Sequence, residues 1–241
     1  MANPYFQFKQ FTVCHDRCAM KVTTDSCFFG AWTAEQIKND TSKIKNVLDI
    51  GTGTGLLSLM IAQKNEVEID AIEIDSEASH QAKENAAASP WKKSIHIFNE
   101  DIRIFQPNKK YDCMISNPPF YENELASGVP KKNIAHHSEQ LTLADVLARI
   151  KTHLKEEGLF FLMYPFKRNK EMEQLLRANE LYVMNSVLLS QSVKHSPFRM
   201  IIKGTHKKDV SVSTTSISIC DEKQQYTKSF VDLLKDYYLY L

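Results

Sequence analysis

Lys45-Asn46-Val47-Leu48-Asp49-Ile50-Gly51-Thr52-Gly53-Thr54-Gly55 starts as an apolar run and ends in glycines spaced two apart. The run is short and β-branched enough for a buried strand, and residues 56–64 (LLSLMIAQK) then carry helical spacing. A strand entering a helix through a glycine turn opens an α/β unit. A ligand at such a turn meets bare backbone, because glycine has no Cβ and permits positive φ. The helix beyond it offers free N–H groups.

Working outward, apolar runs and helical patterns alternate. Residues 45–50, 68–74, 94–98, 111–116, 158–164 and 181–190 read as strands, with 199–203 and 210–219 as further candidates. Residues 76–88, 142–154, 167–179 and 224–241 read as helices, the first with Ser76 as N-cap. That rhythm predicts an α/β, Rossmann-like, mainly parallel sheet with helices on both faces. Residues 1–43 do not join it and read as an N-terminal cap or lid leading into a helix around 31–39; residues 44–241 form the domain proper. Residues 121–140 have no clear period, and so long a connector marks a functional loop or disorder.

Composition bounds the rest. The 241 residues are 43% hydrophobic and 24% charged, as in an ordinary soluble globular protein. No apolar run approaches the roughly 18 residues of a membrane span. No secretory signal is visible at the N-terminus. Cys14, Cys18, Cys27, Cys113 and Cys220 are an odd, scattered set, which suits a reducing cytoplasm better than a disulfide framework. The net charge of +1 says little about partners. Local clusters say more: Lys194, His195, Arg199, Lys203, His206, Lys207 and Lys208 form one basic stretch, and Lys131-Lys132 another. Either these are solvated faces or they hold RNA phosphates, with Lys194, Arg199, Lys203, Lys207 and Lys208 as the candidate RNA contacts.

The glycine spacing divides the cofactor options. A dinucleotide site wants G-x-G-x-x-G, and a P-loop ends in Gly-Lys-Ser/Thr. Here Gly51, Gly53 and Gly55 alternate with threonines behind Asp49, and the loop has no lysine. The ligand therefore need not carry phosphates. An acid plus backbone donors suits the amino and carboxylate groups of a methionine-type cofactor. Glu73 and Asp75, at the end of the second strand, compete to accept a ribose diol, since two carboxylate oxygens match two vicinal hydroxyls. Asp101 could accept from an adenine amine while Ile102 packs on the ring; a helix N-cap is the bland alternative.

After the fourth strand comes Asn117-Pro118-Pro119-Phe120. Paired prolines stop a strand and fix its backbone. Asn-Pro is common in plain turns, but here it stands in register behind a cofactor loop. An aromatic amine is a poor nucleophile because its lone pair is delocalised. Two acceptors aimed at its hydrogens favour the tetrahedral geometry needed for attack. The Asn117 side-chain oxygen and the Pro118 carbonyl are the candidates, kept pre-organised by the prolines. Phe120 offers a stacking face, worth roughly 1–3 kcal/mol for a base. Cys113 sits within a strand and reads as core. Cys14, His15 and Cys18 lack a second ligand pair, so no metal is expected. His136-His137 read as surface or RNA-contacting.

These residues resemble a known family. Asp49 to Gly55 looks like the cofactor motif of class I S-adenosylmethionine methyltransferases, and Asn117 to Phe120 is similar to the N-P-P-[YF] motif of the amino-methylating branch. Phe8-Lys-Gln-Phe11, His15-Asp-Arg-Cys-Ala-Met-Lys-Val-Thr-Thr-Asp25, Gly30-Ala-Trp32, Ser89-Pro-Trp91 and the aromatic tail 237–241 resemble bacterial tRNA1(Val) (adenine(37)-N6)-methyltransferases. The resemblance implies a seven-stranded methyltransferase sheet, a cytoplasmic monomer, S-adenosylmethionine as cofactor and a valine tRNA anticodon loop as partner. It implies that Lys21, Thr24 and Asp25 lie near the cofactor. Phenylalanine rather than tyrosine at 120 also occurs among rRNA guanine-N2 methyltransferases. That enzyme, a protein glutamine methyltransferase and a non-catalytic RNA-binding module are the alternatives.

Overall fold

The computed structural model describes residues 3–118 and 141–241. In chain order its elements are β1 (Tyr5–Gln7), β2 (Thr12–Cys14), α1 (Thr24–Lys38), β3 (Asn46–Ile50), α2 (Leu56–Lys64), β4 (Glu68–Glu73), α3 (Ser76–Ala87), β5 (Ile95–Asn99), β6 (Tyr111–Ser116), α4 (Leu143–His153), β7 (Leu154–Pro165), a 3-10 turn (Phe166–Arg168), α5 (Asn169–Ala178), β8 (Tyr182–Ser192), β9 (Arg199–Thr205), β10 (Ser213–Cys220) and α6 (Lys228–Leu234).

The glycine-ended run is the middle of the sheet. β3 lies between β4 and β6 and pairs parallel with both, Asp49 standing level with Ala71 and Ile115. Val47 packs into the core layer of α1, α2 and α6, while Leu48 and Ile50 pack into that of α4 and α5. A strand covered on both faces reads as a nearly continuous apolar run, broken here by the buried Asp49. Among the described residues the sheet has eight strands in the order β10-β8-β9-β7-β6-β3-β4-β5. Only β9 runs against its neighbours, antiparallel to β7 and β8. The expected seven strands are joined at one edge by β10, which pairs parallel with β8.

Other boundaries moved for identifiable reasons. α1 starts at Thr24, well before the predicted helix, behind a capping box in which the Thr23 and Ser26 side chains serve each other's backbone N–H. Its Cys27, Phe28 and Phe29 are fully buried, so this helix belongs to the core layer. Gly30 lets it sit close to α2, for a Cβ there would come within 2.6 Å of Met60 Sδ. α3 is capped by Asp75, whose Oδ1 accepts from Ala78 N at 2.8 Å, rather than by Ser76. The predicted helix over 224–241 is helical only through α6, and the tail then turns back. Lys9 N donates to the Tyr237 carbonyl at 2.8 Å, Phe8 bridges Tyr238, and the Tyr237 hydroxyl donates to the Met60 carbonyl at 2.9 Å. The hairpin β1–β2 is thereby fastened to the far end of the chain and to α2.

Candidate functional site

A cavity of about 280 Å³ opens where β3, β4 and β6 end. A parallel sheet's ligand crevice lies at the carboxyl ends of its strands. The floor is the glycine loop. Gly51, Gly53 and Gly55 all have positive φ, at 68°, 57° and 82°. The loop is pinned to the next strand, since Gly51 N and Thr52 N both donate to the Ile72 carbonyl, at 2.9 and 3.0 Å. A Cβ at Gly53 would meet nothing within 4 Å; it would project into open space where the cavity lies.

Glu73 lines the cavity and is tied to the loop. Its Oε2 accepts from Gly53 N at 2.8 Å and its Oε1 from Asp75 N at 3.0 Å. Burial raises its pKa above the ordinary carboxylate range, against the pull of those backbone donors. A carboxylate has about four lone-pair sites, so two remain for a ligand. Asp75 lines the cavity as well, with its Oδ1 capping α3.

Asp49 lies beneath the loop rather than in the cavity lining. It is fully buried, and its Oδ2 accepts from the hydroxyls of Thr52 and Ser58, each at 2.7 Å. Among the described residues its Oδ1 has no partner. Burial pushes its pKa up to about 6, with Glu73's charge adding to the rise. Gly55, at the α2 end of the loop, packs beside Ala82 and also lies outside the lining.

Asp101, Ile102 and Arg103 line the cavity too. Asp101 Oδ1 accepts from Arg103 N at 2.8 Å, and its carboxylate pairs with the Arg103 guanidinium at 2.8 Å. Arg103 holds the Asp101 pKa below its usual value. Ile72, Ile74, Ala78 and Ile102 give this side an apolar character suited to a flat ring. Sequence reasoning found Ile102 and missed the others, although Ile72 and Ile74 flank Glu73 in the strand pattern.

Asn117 follows β6 directly, is half-buried and lines the same cavity as Gly51 and Gly53. Its base is fixed because the preceding Ser116 hydroxyl donates to the Ile50 carbonyl at 2.8 Å. Pro118 is buried. Pro119, Phe120, Lys131, Lys132, His136 and His137 lie outside the described residues.

The fourth wall is a strap over residues 15–22, of which Cys18, Ala19, Met20, Lys21 and Val22 line the cavity. Lys21 was expected near the site, and the rest were not, because the strap has no period to read. Thr24 and Asp25 lie outside the lining; Asp25 is instead paired with Arg199 at 2.7 Å. Of the anticipated groups, the cavity therefore gathers Lys21, Gly51, Gly53, Glu73, its competitor Asp75, Asp101, Ile102 and Asn117.

The basic stretch needs correcting. β9 antiparallel to β7 sets Arg199 level with Pro165, at the cavity end of the sheet, and Thr205 level with Leu159, toward the other end. Lys194 and His195 sit exposed in the β8–β9 turn at the cavity end. Lys207 and Lys208 follow Thr205 at the opposite end, and Lys207 is paired with Glu157. Lys203 is 7% exposed and paired with Asp40 at 3.1 Å, so it presents no charge to a polyanion. Arg199 is committed to Asp25.

Among the described residues no group of three metal-binding side chains is found, nor a helix long and apolar enough to cross a membrane.

Comparison with known proteins agrees with this geometry. A profile of the methyltransferase small domain family matches residues 33–181. The tRNA1(Val) (adenine(37)-N6)-methyltransferase of Parabacteroides distasonis is 37% identical over 241 residues, covering 99% of each chain. The enzyme of the same name from Dyadobacter fermentans is 42% identical over 203 residues, covering 83% of this chain and 82% of its own. Among solved structures, a predicted O-methyltransferase from Agrobacterium tumefaciens superposes with a TM-score of 0.65 at 14% identity, covering 87% of this chain and 95% of its own, a likeness of fold.

Proposed function

Because this chain belongs to the tRNA1(Val) (adenine(37)-N6)-methyltransferase family, we propose that it moves a methyl group from S-adenosylmethionine to N6 of adenosine 37 in a valine tRNA. The observation that carries the proposal is the sharing of one cavity by Asn117 and the Gly51–Gly53 loop. Cofactor and amine acceptor then face each other across a single space.

The residues present fit the cofactor. The open space at Gly53 is a cradle a side chain would fill, and Glu73 retains lone pairs for a ribose diol. We assign the diol to Glu73 rather than Asp75, because Glu73 is tied directly to the glycine loop through Gly53 N. Asp101 and the apolar wall around Ile102 suit an adenine amine and ring. Asp49 acts from below, bracing the loop through Thr52 and Ser58. When bound, the cofactor supplies a methyl group activated by a sulfonium.

The chain's own task is to present the amine. Asn117's side-chain oxygen accepts one N6 hydrogen and Pro118's carbonyl the other, which turns the nitrogen lone pair outward. The attacking nitrogen gains the methyl and then loses a proton to solvent. The acceptors need no reorganisation during transfer, and that is the source of their effect. An anticodon-loop base must leave its stack to bring its N6 up to Asn117 in the cavity. Lys194, at the cavity end of the sheet, is the basic residue we assign to RNA phosphate. The five free cysteines suit a reducing cytoplasm, where such a substrate resides.

Incubating bulk tRNA with enzyme and methyl-labelled cofactor, then separating the nucleosides by mass spectrometry, tests this directly. The label is expected in N6-methyladenosine. Label in N2-methylguanosine alone would replace the proposed target base.

A further inference from the structure

Two amide side chains on the inner face of α3 do something the reaction chemistry does not use. Gln81 is 1% exposed and Asn85 is 4% exposed, one helical turn apart. Asn85 Nδ2 donates to the carbonyls of Cys14 and Thr54, both at 2.9 Å. Its Oδ1 accepts from Cys14 N at 3.0 Å. It therefore joins the end of the N-terminal hairpin to the glycine loop through one side chain. Gln81 Oε1 accepts from Arg17 N at 2.9 Å, and its Nε2 donates to Asp16 Oδ1 at 2.8 Å. Together the pair fixes the chain just before Cys18, where the strap begins to line the cavity.

The strap's far end is fixed as well. Val22 N donates to His15 Nδ1 at 3.3 Å, and the capping box at Thr23 starts α1. Between these anchors Met20 is 46% exposed, a large apolar side chain over the cavity with little of its own to rest on. Buried amides are retained at a cost unless all their hydrogen bonds are made, and here nearly every one goes to the strap root or the loop.

We propose that Gln81 and Asn85 are positioning residues: they hold the strap 15–22 and the glycine loop at a fixed separation, so that the strap closes on the cofactor. Neither residue lines the cavity. They act on cofactor affinity through the strap, and not on the methyl-transfer step. The inference rests on the proposed reading of the cavity as an S-adenosylmethionine site.

The test compares wild type with Gln81→Met, which keeps the side-chain volume and removes the bonds to Asp16, Arg17 and the Cys18 thiol, and with Asn85→Ala. Calorimetry with S-adenosylmethionine is expected to show affinity weakened about tenfold in each. The kcat at saturating cofactor should stay within about twofold, and hydrogen exchange should accelerate over residues 14–22 while β3 and β6 stay protected. Gln81→Glu should weaken binding by facing the Asp16 carboxylate. Adding Asp16→Asn, which returns a donor, should restore affinity to within about threefold. That rescue is not expected of a residue that merely fills the core. If Asn85→Ala does not fold, the Gln81 series decides alone. Wild-type affinity in Gln81→Met, or loss of kcat with cofactor KM unchanged, would overturn the proposal. A wild-type protein that fails to bind S-adenosylmethionine would instead remove the reading of the site, while strap exchange in the variants still reports whether the amides anchor it.

Discussion

The backbone N–H of Gly53 donates to Glu73 Oε2 at 2.8 Å, linking the turn after one strand to the acid at the end of the next. Glu73→Gln puts an amide where two backbone donors point, so one of them faces another N–H. Cofactor affinity is expected to fall roughly 30-fold, about 2 kcal/mol, and the unmatched donor should lower the melting temperature as well. Calorimetry giving the wild-type constant would take the ribose away from Glu73.

Gly53→Val should abolish measurable cofactor binding. The added side chain enters the open space of the cavity, and a β-branched residue at a φ of 57° is strained in addition. Retained binding in a titration would show that the ligand lies elsewhere.

Asn117→Ala should reduce turnover by at least a hundredfold and leave cofactor affinity within about threefold, because the lost acceptor serves the amine alone. Single-turnover assays separate the two. Normal single-turnover rates would end Asn117's assigned role.

Asp49 gives the protein a signed pH dependence. Its folded pKa is about 6 and the free value 3.8, so the native state holds the proton more tightly. Stability then falls as pH rises from about 4 through about 6, by up to roughly 3 kcal/mol. Below that window both states are protonated and nothing is gained or lost. Denaturation midpoints measured across the window should depend less steeply on pH in Asp49→Asn, Glu73 keeping its own upward shift; an unchanged slope would assign the titration to another group.

Lys194→Glu should weaken tRNA binding and lower the salt slope by about one phosphate contact. Lys207→Glu with Lys208→Glu should leave the slope alone, because both lie at the other end of the sheet. Filter binding at several salt concentrations distinguishes them, and the reverse ranking would move the RNA to the far edge.

What could be read from the sequence follows from how local each signal is. The β3–α2 unit and β6 were legible to the residue or nearly so, because an apolar run, a glycine turn and a proline pair are self-contained. The strap was not, since its root at residues 14–18 is held by Gln81 and Asn85 far along the chain. In the 76–88 pattern those two amides stand among other polar residues, with nothing local to mark them as buried. Only the hairpin packed against them makes their side of the helix an interior. Lys203 misled for the matching reason: a run of positive charge shows no register, and β9 folds one of its members inward against Asp40.

The stapling of β1–β2 by Tyr237 and Tyr238 has a bearing on biosynthesis. A nascent chain acquires its glycine turn and Asn117 well before the aromatic tail that seats the β1–β2 hairpin. Until those tyrosines emerge, the hairpin at the root of the strap lacks its clamp, so a stalled or prematurely terminated product would hold the reactive groups without a firm grip on the methyl donor.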